Sequence, residues 1–100
     1  MMIGDFVATT KDYRNFILEQ IDLDVTCRPM MGEYLLYYDG VLFGGIYDDR
    51  LLVKKVSGNE KYGMNDSIPY EGAKPMYLVD VDNIELLKEI ILDTYKCLKK

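Results

Sequence analysis

The sequence predicts an α+β domain of two layers, with an antiparallel sheet of about five strands and one helix at each end of the chain. Three observations carry that expectation. Apolar residues recur at helical spacing near both termini, and residues 25–56 read as a strand meander broken by tight turns. The third is size: 100 residues, nearly half of them apolar or aromatic, suit one hydrophobic core, so residues 1–100 are read as a single domain.

The elements follow in order. Thr9 and Thr10 are hydroxyl caps for a first helix from about Thr10 to Gln20, whose stripe is Tyr13, Phe16, Ile17 and Ile21. Asp22-Leu23-Asp24 ends it. Val25 to Arg28 begins a peripheral strand, where Pro29 is tolerated because an edge position needs no ladder donor. Asp39-Gly40 then joins Glu33–Tyr38 to Val41–Tyr47, since both residues accept the positive φ of a type I′ turn.

A two-residue loop fixes the expected register: Tyr38 opposite Val41, Tyr37 opposite Leu42, Leu36 opposite Phe43, Leu35 opposite Gly44 and Tyr34 opposite Gly45. Asp48-Asp49 turns the chain into a strand over 51–56, with Leu51 opposite Ile46 and Val53 opposite Gly44. Strict alternation then puts Tyr34, Leu36, Tyr38, Phe43, Tyr47, Leu52 and Lys54 on one face. Leu35, Tyr37, Leu42, Ile46, Leu51 and Val53 fall on the other. Both faces are apolar, and two helices cover only one. The Gly44-Gly45 pair reads either as a simple sheet bend or as a bulge or close approach.

Residues 57–75 are rich in Gly, Asn, Ser, Asp and Pro, so a long connection is expected, with one helical turn over Asn59–Tyr62 ended by Gly63. Met76 to Val79 reads as a last strand. Asp82 with Glu85 approximates a capping box for the final helix, whose stripe is Ile84, Leu87, Ile90, Ile91, Thr94, Tyr95 and Leu98. Lys96, Lys99 and Lys100 suit its negative carboxyl end.

Composition narrows function. The net charge of −5 disfavours contact with nucleic-acid phosphates, and no apolar run approaches the roughly 20 residues of a spanning helix. The Met1–Val7 lead lacks the basic and apolar regions of a signal peptide, so a cytoplasmic location is expected. Cys27 and Cys97 read as free thiols, and with no histidine present neither a zinc site nor any cofactor is expected. No serine sits in a nucleophile elbow and no glycine-rich loop opens a helix, so a non-enzyme is expected.

Several motifs then line up. Arg28-Pro29-Met30-Met31-Gly32, Leu36-Tyr37, Asp39-Gly40-Val41-Leu42-Phe43, Leu51-Leu52-Val53-Lys54, Gly63-Met64, Pro69-Tyr70 and Lys74-Pro75-Met76-Tyr77 together resemble the TfoX/Sxy amino-terminal domain, here standing alone. The order and spacing of these motifs, spread over nearly the whole chain, carry the resemblance. It departs at Met31, Glu33, Leu35 and Leu52, where that family favours phenylalanine, glycine, glycine and an aromatic respectively. The resemblance implies an α+β regulatory domain acting through a protein partner, in a family of competence regulators that work beside the cyclic-AMP receptor protein. It marks Met30, Gly32, Tyr37, Asp39, Gly40, Phe43 and Pro75 as pattern residues.

Arg28 and Lys54 are the cations within that pattern. They read either as contacts to an anion or partner, or as structural pairs with Glu33, Asp39 or Asp48. Asp48-Asp49 and Asp80-x-Asp82 invite a metal reading, but a turn and a cap are the ordinary roles of aspartate there. Cys27 reads as a half-buried strand residue rather than a reactive thiol. The tyrosines of the meander read as core or interface residues rather than base-stacking platforms, since no basic groove accompanies them.

The spare apolar face leaves three occupants open. A protein partner or a second copy of the chain could cover it, or the 57–75 connection could fold back as a lid. Charge supports a sharper expectation. In fluorescence anisotropy at low salt the protein should show no sub-micromolar binding to duplex DNA; tight, salt-sensitive binding would show a basic face that the composition conceals.

Overall fold

The computed structural model describes residues 10–99. Helix α1 spans Lys11–Ile21, followed by strands β1 (Val25–Met30), β2 (Glu33–Tyr38), β3 (Val41–Tyr47) and β4 (Arg50–Val53). A 3-10 helix, Ser57–Tyr62, precedes β5 (Asp66–Ser67) and β6 (Met76–Leu78), and α2 spans Ile84–Leu98. The sheet is six-stranded and antiparallel, in the order β1-β2-β3-β4-β6-β5. The α+β architecture is therefore as predicted, with the expected β1 at one edge and an additional two-residue strand, β5, at the other.

Capping sets the helix starts. Thr10 Oγ1 accepts from the Tyr13 N–H at 3.1 Å, satisfying one of the orphan donors of α1, and Asp22 ends the helix in the left-handed region. Helix α2 is capped by Asn83, not by the expected Asp82: Asn83 Oδ1 accepts from Leu86 N–H at 3.1 Å. The Asp82 N–H is engaged by Asp80 Oδ1 at 3.0 Å, so the Asp80-x-Asp82 pair forms a turn one residue ahead of the helix. Thr9 and Lys100 lie outside the described residues.

The meander is built on paired left-handed residues. Met31 and Gly32, Asp39 and Gly40, and Asp48 and Asp49 all have positive φ, the conformation that matches a two-residue hairpin to the twist of its strands. At Asp39-Gly40 the expected pairs Tyr38 with Val41 and Tyr37 with Leu42 form.

Beyond them the register shifts. Leu36 lies opposite Gly44, Leu35 opposite Gly45 and Tyr34 opposite Ile46, so Phe43 is the extra residue of a β-bulge, and the pairing expected for these residues is corrected by one. Because side chains alternate with period two, a one-residue shift exchanges the faces of everything beyond it. Phe43 and Ile46, expected on opposite faces, are both fully buried in one core with Tyr34, Leu36, Leu51 and Val53. Tyr47 and Leu52 move to the outer face, beside Leu35, Tyr37 and Leu42. The bulge does not waste its polar groups, since the Phe43 carbonyl accepts the Lys54 N–H at 2.9 Å.

The core is completed by Ile17 and Ile21 of α1, Leu87, Ile90 and Ile91 of α2, and Val79. Full burial of Phe43 alone is worth about 1.5–3 kcal/mol. The expected helical turn is present as Ser57–Tyr62, closed by Gly63 at φ 66°. Asn59 holds it in place. Its Oδ1 accepts from Val56 N–H at 3.1 Å, and its Nδ2 donates to the Lys54 carbonyl and to Thr94 Oγ1, both at 2.8 Å. The Thr94 hydroxyl in turn donates to the Ile90 carbonyl at 2.7 Å, so this fully buried polar plug is satisfied. At the surface of the same joint, Tyr62 donates its hydroxyl to Asp93, which Lys61 also approaches at 3.2 Å.

The Gly44-Gly45 pair is a close approach rather than a bend. A Cβ on Gly44 would stand 2.2 Å from the Leu52 carbonyl oxygen and 2.9 Å from Val53 Cα, both backbone atoms that cannot step aside. Gly44→Ala is accordingly expected to destabilise the fold by about 2–3 kcal/mol in urea unfolding, as overpacking does. An alanine tolerated within 0.5 kcal/mol, an order-of-magnitude threshold for surface changes, would contradict the close approach.

Candidate functional site

The side of the sheet away from the helices is where chemistry could meet a ligand. Residues 66–76 cross part of it as a strap, attached at both ends because β5 and β6 pair with each other. Arg50 latches the strap. The guanidinium donates from Nε to the Tyr47 carbonyl at 3.1 Å, from Nη1 to Ser67 Oγ and the Ile68 carbonyl, and from Nη2 to the Pro69 carbonyl at 3.3 Å. Its planar fork suits several carbonyls at once, which a lysine could not match. Tyr70 brings its ring to 6.2 Å from that of Tyr47. Although on the outer face, Tyr47 is 5% exposed and Leu52 is fully buried. The lid reading of this connection thus describes half of the face.

Between the strap and β3–β4 lies a groove of about 420 Å³. Leu42, Gly44 and Tyr47 form its floor, Pro69, Tyr70, Ala73, Pro75 and Met76 its strap side, and Lys54, Lys55 and Lys74 its charges. Lys55 is paired with Asp66 at 2.8 Å. Among the described residues, Lys54 and Lys74 carry no ion pair. The strap wall is stiffened by a turn in which Ala73 N–H donates to the Tyr70 carbonyl at 3.1 Å and Gly72 takes φ 89°.

The uncovered half of the face adjoins β1. Arg28 is exposed there, with its guanidinium 5.9 Å from the centre of the Tyr37 ring. The structural pairs proposed for Arg28 and Lys54 with Glu33, Asp39 or Asp48 do not form among the described residues, and Asp39 instead accepts the Tyr95 hydroxyl at 2.7 Å. Burial pushes the Glu33 carboxyl up from its ordinary range, against a smaller opposing pull from Arg50. Arg28 and Lys54 share a face but not a site: β2 and β3 intervene, and three strand spacings of ~4.8 Å keep them roughly 14 Å apart.

The pattern residues divide by role. Gly32, Asp39 and Gly40 make turns, Phe43 makes the bulge, Tyr37 and Met30 lie on the outer face, and Pro75 lines the groove. Burial pushes the Cys27 thiol up, with Arg14 opposing it weakly, which lowers its thiolate fraction and its reactivity. Among the described residues no group of three Cys, Asp or Glu side chains is placed to hold a metal ion, and no helix is long and apolar enough to cross a membrane. A second cleft, of about 510 Å³, lies between β6 and α2 and is lined mainly by Tyr62, Met64, Leu78, Val79, Leu86 and Ile90.

Arg50, Lys55 and Asn59 were not marked by any local pattern, because their partners lie in other elements. Lys74 was visible within the Lys74-Pro75-Met76-Tyr77 motif, but nothing in the sequence put it opposite Lys54.

No family model matches the chain. A protein of Spirochaeta aurantia, described as an uncharacterized 12.7 kDa protein in the trpE 5' region, is 35% identical to it over 78 residues, covering 74% of this chain and 68% of that protein. The chain belongs to the family of that protein. The relationship thus extends over most of both chains, although the relative's description assigns it no activity.

The latch gives a direct test of the strap. Arg50→Met keeps the aliphatic stem but removes the donors, and should cost about 2 kcal/mol, since bonds from a charged donor exceed neutral ones. Hydrogen exchange should report it as lost protection at Leu78 and at 66–76 with α2 unchanged; unaltered protection across the strap would show that the latch is dispensable.

Proposed function

We propose that this chain is a non-enzymatic, cytoplasmic interaction module that regulates by binding a protein partner through the outer face of its sheet, in the manner that its resemblance to the TfoX/Sxy amino-terminal domain implies. One observation carries the reading. The uncovered strip beside β1 combines Arg28, Met30, Leu35, Tyr37 and Leu42, and ends at a hairpin tip where Met31 is 94% exposed. Arginine, methionine and tyrosine are enriched in protein interfaces, and a methionine held in the left-handed region at a tip stores local strain while packing little against the described residues. A link to transcription or competence regulation is the form of this reading that the resemblance favours.

A second reading, self-association, rests on a separate observation. Strand β1 is the long edge of the sheet and is largely exposed, and an unpaired edge is a template for a further strand. Pro29 lies in that edge and blunts it, since it has no N–H to donate.

Two measurements separate these readings. Sedimentation equilibrium should give an 11.6 kDa species throughout if a different protein is the partner, and a concentration-dependent dimer if the chain binds itself. In a native pull-down, Arg28→Glu with Tyr37→Ala should reduce recovery of the bound protein about tenfold or more, a loss of ~1.4 kcal/mol, while leaving the melting temperature unchanged. Recovery indifferent to both substitutions would remove the strip from the reading.

A further inference from the structure

We infer that the groove between the strap and β3–β4 is a docking site for a short acidic peptide segment of a partner protein, its carboxylates met by Lys54 and Lys74 and its apolar side chains by Leu42, Tyr70 and Pro75. The inference rests on the interaction reading above and adds to it a second contact with a defined chemistry.

Charge complementarity carries the assignment. The chain has 17 acidic and 12 basic side chains, yet among the described residues this groove is lined by Lys54, Lys55 and Lys74 and by no carboxylate. It is a positive site on a negative protein. Lys55 already has Asp66, whereas Lys54 and Lys74 carry no ion pair among the described residues and stand at one apolar hollow. Lys54 is half-buried, so a carboxylate reaching it would interact across a medium less screening than bulk water.

Shape and net charge narrow the occupant. A volume of about 420 Å³ is of the size that holds a small ligand or a few side chains, and the groove is partly open to solvent rather than an enclosed cavity. Polyanions such as RNA would meet the repulsion of the whole surface, whose charge is −5. A segment with a few carboxylates interleaved with apolar residues matches the lysines while burying apolar area on Leu42, Tyr70 and Pro75. The wall needs little ordering on binding, because the Arg50 latch and the Tyr70–Ala73 turn already hold it.

The test selects peptides without presuming their sequence. A phage-displayed library of random peptides of about twelve residues, a length that spans an extended recognition groove, is panned on the intact protein. Enriched sequences are expected to pair Asp or Glu with Leu, Ile, Phe or Met. Binding of a fluorescein-labelled synthetic copy should weaken about tenfold or more, ~1.4 kcal/mol, in Lys54→Glu with Lys74→Glu and should weaken with added salt. If Lys54→Glu impairs folding by circular dichroism, Lys54→Gln with Lys74→Glu serves instead.

Enrichment of basic or neutral peptides, no enrichment, or indifference to the lysine variants would overturn the assignment. Competition by millimolar inorganic phosphate would also overturn it, marking a general anion trap. Failure here with the Arg28 and Tyr37 variants still abolishing partner recovery would leave the interaction reading standing; failure of both would remove both.

Discussion

The structure depends on one extra residue in β3. Phe43 sits where strict alternation would turn Ile46 away from the helices, and the bulge brings both side chains into the core, opposite Ile17, Ile21, Leu87 and Ile91. The same step sends Tyr47 and Leu52 to the outer face. It is feasible only because β3 and β4 approach so closely at Gly44 that no side chain fits, and because Lys54 supplies the N–H that the displaced carbonyl needs. Core, outer face and groove are thus three results of a single local irregularity.

Much of the architecture was legible because its causes are local. The stripes of α1 and α2, the Asp39-Gly40 turn and the helical turn closed by Gly63 all depend on residues within a few positions of one another. The bulge was only half legible. The Gly44-Gly45 pair marked the place but does not say which residue is extra, and both faces of the meander are apolar in either register, so the face composition could not decide it. The cap of α2 moved from Asp82 to Asn83 for a related reason: both side chains can cap, and the contest was decided by Asp80 engaging the Asp82 N–H.

The outer face was less legible, since its determinants are long-range. Arg50 reaches partners 17 to 19 residues away, and Asn59 binds Thr94 from 35 away. No spacing rule connects such pairs. What the sequence could supply was chemistry without position: Arg28 and Lys54 were identifiable as cations of interest, while their separation on two sides of the face, and the partnership of Lys54 with Lys74, required the sheet order.

The pairing of β5 with β6 has a consequence for how this family can diversify. Residues 68–75 form a loop whose two ends are pinned in the sheet, so lengthening it near Gly72 adds only the slowly growing, logarithmic entropy of a larger closed loop. The core and the bulge lie outside that loop and do not register its length. Insertions or deletions at the crest would raise or lower one bank of the groove while its floor stayed fixed, giving relatives different specificities on an unchanged scaffold.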